Sequence, residues 1–152
     1  MSSAMLKSAT VELLERLHKN IRMGADSIVA LLPKLDKEAP ELKSDLSVQL
    51  DGYEKFTNRI NTLLREGGEK TEGDSVWNKM TAKVGVAMST LTDASTSHLA
   101  DMVIQGSTMD MNESIKLLRE FENTDASEGS LALVRDIIAF EEKNIEQLKG
   151  YL

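Results

Sequence analysis

Apolar residues recur along this chain at steps of three and four, the spacing that places side chains on one face of an α-helix. In a first segment Val11, Leu14, His18, Ile21, Ala25, Ile28 and Leu32 follow that rule, and Pro33 is expected to interrupt it. Pro40 opens a second segment, where its missing N–H costs little, and Leu42, Leu46, Leu50, Tyr53, Phe56, Ile60 and Leu63 form its stripe. Gly67-Gly68 ends it, since glycine tolerates the left-handed conformation that closes many helices.

A third segment carries Trp77, Met80, Val84, Met88 and Leu91, with Asp74 or Ser75 as its cap. The capping residues Thr92 to Ser97 mark a break, after which a fourth helix is expected from about Ser95 to Phe121. Its middle, Gln105-Gly106-Ser107-Thr108, is poorly helical, and Asp110 with Glu113 reads as a capping box, so one helix or two are both open. The fifth segment has the clearest pattern: Leu131, Val134, Ile138, Glu141, Ile145, Leu148 and Leu152. A glutamate interrupts an otherwise apolar line. No strand pattern competes, and short connections between long helices favour antiparallel neighbours. The expected fold is all-α, an antiparallel four-helix bundle built from about five helical segments, with residues 1–152 as one domain.

Composition supports that picture. Hydrophobic residues make up 41% and aromatics only 4%, so the core rests on Leu, Ile, Val, Met and Ala. The net charge of −7 disfavours nucleic acid and anionic membrane surfaces as partners. No apolar run approaches the roughly 20 residues needed to cross a bilayer. The absence of cysteine excludes disulfides, thiolate metal sites and thiol nucleophiles, and suits a reducing interior. The expected location is the cytoplasm.

Four stretches carry a family resemblance. Residues Leu63 to Glu69, closing the second helix, and Phe140-Glu141-Glu142-Lys143-Asn144-Ile145-Glu146-Gln147-Leu148 look like the ferritin-like superfamily. Gln49 to Phe56 and Gln105 to Met109 resemble, more narrowly, small ferritin-like proteins of anaerobic Firmicutes. The resemblance implies a ferritin-like bundle whose interior site takes single glutamates from one pair of helices and Glu-x-x-His from the other. Carried over by position, that pattern fails here. Glu54-x-x-Thr57 and Glu141-x-x-Asn144 lack the histidines, Gln105 replaces a bridging glutamate, and Asn20 or Met23 stands where the first helix would supply its acid. Thr57, Gln105 and Asn144 are therefore vestigial positions, and no iron or manganese cofactor is expected. If a metal binds, the resemblance and register leave Glu54, Glu141 and His18 to hold it.

Glu141 on a buried seam must be paired, protonated or bound, because a lone buried carboxylate is costly. The candidate partners are Asn144, Thr57, Tyr53 and Gln105. His98 reads as a surface or capping residue, and the eight methionines as packing rather than a copper(I) site. No phosphate-binding loop or catalytic triad is visible, so no catalytic residue is assigned. The leading expectation is a non-enzymatic interaction or structural protein, pairing as a homo-dimer through the second flank of the first helix, Leu13, Leu17 and Leu31. The alternative is an iron-handling or oxidase-type metal protein with an atypical ligand set. A third reading is a ligand-binding bundle with a pocket lined by Trp77, Met80 and Met109.

Overall fold

A computed structural model describes residues 8–35, 39–67 and 95–152. They form four α-helices: α1 (Ser8–Leu35), α2 (Pro40–Glu66), α3 (Thr96–Phe121) and α4 (Glu128–Leu148), followed by a 3-10 turn at Lys149–Tyr151. There is no strand among the described residues. The expected Trp77–Leu91 segment lies outside them. None of the four helices is long and apolar enough to cross a membrane.

The helix starts follow local chemistry. Pro40 occupies the first turn of α2. Ser95 and Ser127 cap α3 and α4 by accepting the His98 and Ser130 backbone N–H groups at 3.3 and 3.2 Å. One boundary is corrected, one open alternative is settled, and one helix ends where expected with a different backbone conformation. α1 runs through Pro33 to Leu35, because a proline near the helix end removes a single hydrogen bond while Leu35 becomes fully buried. α3 is continuous past Gly106, so Asp110 and Glu113 do not cap a new helix. Gly67 ends α2 at φ −87°, without the left-handed conformation, its N–H bonding back to the Leu63 and Leu64 carbonyls.

Packing is built around one core. α1 lies against α2 and α3, and α4 against α3 and α2. Both flanks of α1 are inside: Leu13, Leu14 and Leu17 are fully buried, as are Ile28 and Leu31 to within 2%. Leu13, Leu17 and Leu31 therefore form no exposed pairing surface, which corrects the dimer surface expected from the sequence. In α2 the buried line is Leu42, Leu46, Gln49, Tyr53, Thr57, Ile60 and Leu64. Gln49, Thr57 and Leu64 turn inward in place of Leu50, Phe56 and Leu63, which pack at the edge. Ile137 similarly takes the inward place expected of Ile138 in α4, and Leu152 is exposed beyond the 3-10 turn.

Cross-links fix the register of these helices. Ser127 N–H donates to Thr10 Oγ at 2.8 Å, joining the first turns of α1 and α4. Arg16 pairs with Glu120 at 2.8 Å, and Arg59 with Asp136 at 2.9 Å. The Phe140 ring packs edge-on against Tyr53 and Phe56, at 5.4 and 5.2 Å between centroids. Gly52 makes room for that ring: a β-carbon there would lie 2.3 Å from it.

Candidate functional site

A group of polar residues meets inside the bundle, drawn from three helices. Gln49 and Tyr53 lie one turn apart on the buried face of α2, Ser107 is buried and Asp110 half-buried on α3, and Glu141 is buried on α4. α1 contributes Gly24, whose lack of a side chain is used. A β-carbon there would meet Asp110 Oδ2 at 2.7 Å and the Tyr53 hydroxyl oxygen at 3.2 Å. The Asp110 carboxyl and the Tyr53 hydroxyl thus reach over the same glycine.

Tyr53 is the centre of the network. Its hydroxyl donates to Glu141, with the two carboxyl oxygens at 2.8 and 2.9 Å. The same oxygen accepts from Gln49 Nε2 at 3.1 Å, and Gln49 Nε2 also donates to Ser107 Oγ at 3.1 Å. Of the four partners weighed for Glu141, Tyr53 is the one the structure supplies. Gln105 is exposed and donates to Asp101 at 2.9 Å. Thr57 is buried and Asn144 half-buried, with Thr57 Oγ and Asn144 Nδ2 lacking a hydrogen-bond partner.

Burial decides the electrostatics. Glu141 is 1% exposed, and desolvation pushes its carboxyl up to about 8; the nearby Asp110 adds to the rise and the Tyr53 hydrogen bond opposes it. Desolvation likewise raises Asp110 to about 7. Tyr53 rises well above the usual phenol range through burial first, then through the negative charges of Glu141 and Asp110. Among the described residues none donates a hydrogen bond to Asp110, and burial alone accounts for its shift. At neutral pH Glu141 keeps its proton, while Asp110 is poised near half-ionisation.

Two spaces flank this network. A cavity of about 220 Å³ opens to solvent between α1, α2 and α3. Ser27, Gln49, Tyr53, Ser107 and Asp110 supply polar lining, and Ile28, Leu31, Met102 and Val103 much of the apolar lining. Met23 and Met109, 55% and 69% exposed, stand at the mouth. On the other side of Asp110 a crevice too tight for water is lined by Leu17, Asn20, Ile21, Ser114, Ile137 and Glu141.

Comparison with family models, curated proteins and solved structures finds no match. The site must be read from its own residues. Glu54 is exposed, apart from the buried face that carries Tyr53, so it does not join Glu141 in a ligand pair. His18 faces inward as its register implies, but it has a partner of its own and lines neither the cavity nor the crevice. Asn20, the stand-in for the first-helix acid, does line the crevice beside Glu141. Among the described residues no three His, Asp or Glu side chains converge in a metal-holding group. One carboxyl held by a tyrosine, a second near neutrality and no imidazole do not fit a dinuclear iron or manganese centre, whose charge needs several ionised ligands. His98, expected at the surface or as a cap, is half-buried, and its backbone N–H donates to Ser95, which is the cap. Met109 lines the cavity as the third reading had it, whereas Trp77 and Met80 lie outside the described residues.

Sequence reasoning missed Asp110, Gln49 and Ser107. Asp110 looked like a helix cap, and the two neutral residues carried no signal that separates an inward polar group from a surface one.

Proposed function

We propose that this chain is a non-enzymatic, cytoplasmic, small-molecule-binding protein, an antiparallel bundle of ferritin-like connectivity whose interior holds a tyrosine–acid network in place of a metal centre. The observation that carries the binding role is the open cavity of about 220 Å³ with apolar walls and convergent polar groups on one side. Stable cores rarely leave such space. An engineered apolar cavity of roughly 150 Å³ accepts benzene, so this one suits a molecule on the order of ten non-hydrogen atoms.

The register contacts support the connectivity. Arg16, early in α1, meets Glu120, late in α3, and the pairs Gly52–Phe140 and Arg59–Asp136 run in opposite senses along α2 and α4. Thr10 meets Ser127, so α1 and α4 start at the same end. In that arrangement residues 68–94 join two helices of like direction, as the single crossover of ferritin-like bundles does. The lack of cysteine supports the cytoplasmic part of the reading.

Gly106 gives a test that separates binding from folding. It lines the cavity, and a β-carbon there would meet nothing within 4 Å. Gly106→Phe should fill the cavity and leave the helical circular dichroism signal and the unfolding midpoint unchanged or improved. A panel of aromatic and aliphatic compounds of about ten non-hydrogen atoms is titrated into both proteins, with amide chemical shifts and melting temperature as readouts. Binding is expected to wild type, with shifts at Val103 and Ser107, and to be lost in the variant. A wild-type protein that responds to none of the panel, or a variant that responds equally, refutes the reading.

A further inference from the structure

We propose that the cavity selects an organic cation, a protonated amine on a small apolar body, with the ammonium against Asp110 and the body against Met102, Met109, Ile28 and Leu31. This deepens the binding role above and rests on it. Three observations converge. The cavity is lined on its polar side by one ionisable carboxyl, Asp110, that receives no hydrogen bond from any described residue. Among the described residues every other polar side chain there is neutral: Gln49 and Ser107 are bonded to each other, the Tyr53 hydroxyl is committed to Glu141, and the Ser27 hydroxyl donates to the Met23 carbonyl. No basic side chain among the described residues lines either the cavity or the crevice.

Asp110 is half-buried and faces the open cavity without a described protein donor, so its oxygens are left to solvent, and a cation with N–H donors would replace that water and balance the charge. An anion would face Asp110 directly and Glu141 behind it. A neutral alcohol could donate one hydrogen bond but would leave the charge unbalanced. The walls suit the rest of such a ligand, since flexible thioethers adapt to varied apolar shapes. The net charge of −7 also raises the local concentration of cations over anions.

The groups facing Asp110 set the pH dependence. Among the described residues the facing titratable group from α2 is Tyr53 and from α4 Glu141, and α1 lines the cavity and the crevice with no titratable side chain. Tyr53 and Glu141 stay protonated at pH 7. Asp110, at about 7, is the group whose ionisation the cation must drive. Binding therefore releases a proton at low pH. An alkyl amine holds its own charge to about pH 10. Its affinity should then fall about tenfold from pH 8 to pH 6, following the ionised fraction of Asp110.

Three probes of nearly one size decide the matter: phenethylamine, 2-phenylethanol and phenylacetate, titrated into the full chain by calorimetry and amide chemical shifts at pH 8 and pH 6. The expected order at pH 8 is amine at least tenfold tighter than alcohol, and acid not detectable. Asp110→Asn should bring the amine down to the alcohol and leave the alcohol unchanged. Should that variant fail to fold, the wild-type pH series stands in its place, since the alcohol should show no such fall. Alcohol and amine binding equally, or amine affinity unmoved by pH and by Asp110→Asn, overturns the cation while leaving the cavity reading intact. Binding of none of the three, together with a silent compound panel, overturns both.

Discussion

Removing the Tyr53 hydroxyl would strip Glu141, beside a crevice too tight for water, of its donor and the buried Gln49 of one acceptor. Tyr53→Phe should therefore destabilise the protein by about 1–3 kcal/mol in urea denaturation, the range for an orphaned buried polar group. The two acids also make stability depend on pH. Their folded-state values lie at about 8 and about 7, above the ordinary 4.5 and 3.8. Between those limits the native state holds more protons than the unfolded chain, so stability is full below about pH 4 and falls as pH rises through 8. A urea midpoint that declines from pH 5 to pH 9 is expected, and Glu141→Gln should flatten much of the decline. A midpoint rising over that interval would mean that both acids are ionised in the folded state. Glu141 was legible at this scale, because an acid in an apolar stripe stands out. Gln49 and Thr57 were not, because nothing local distinguishes them from residues bound for solvent.

Among helical elements, the same substitution at two glycines should have opposite signs. Gly106→Ala adds a methyl group in open space on α3 and should stabilise by about 1 kcal/mol, the helix-propensity difference. Gly52→Ala places its methyl 2.3 Å from the Phe140 ring, which is itself held between Tyr53 and Phe56. There the overpacking cost of about 1–3 kcal/mol should exceed the propensity gain. Thermal melts of the two variants, moving apart from wild type, would check the pair. Helix starts were readable at Pro40 and Ser95, where the capping chemistry is local. The continuity of α1 through Pro33 and of α3 through Gly106 was not, since burial of Leu35 and Val103 on distant partners outweighs a weak local propensity.

For the whole molecule, the flank of α1 once expected at a dimer interface is core, and the consequence is testable. Leu17→Asp puts a charge at a fully buried position, so it should abolish the cooperative unfolding transition rather than release a folded monomer. A well-folded variant of lower mass by light scattering would restore the interface reading. From its sequence alone this chain is all-helical, acidic and free of cysteine, and carries one acid in an apolar stripe; those properties follow from composition and from the 3.6-residue period, which neighbouring residues set among themselves. Only the tertiary structure decided which acids meet. The period defines a face to within about one residue, or roughly 100° around the helix, and that uncertainty is enough to exchange Leu50 for Gln49 and Phe56 for Thr57. Tyr53, Asp110 and Glu141 lie on three helices far apart in the chain, and their shared burial, with the raised carboxyl values that it causes, exists only once those helices pack.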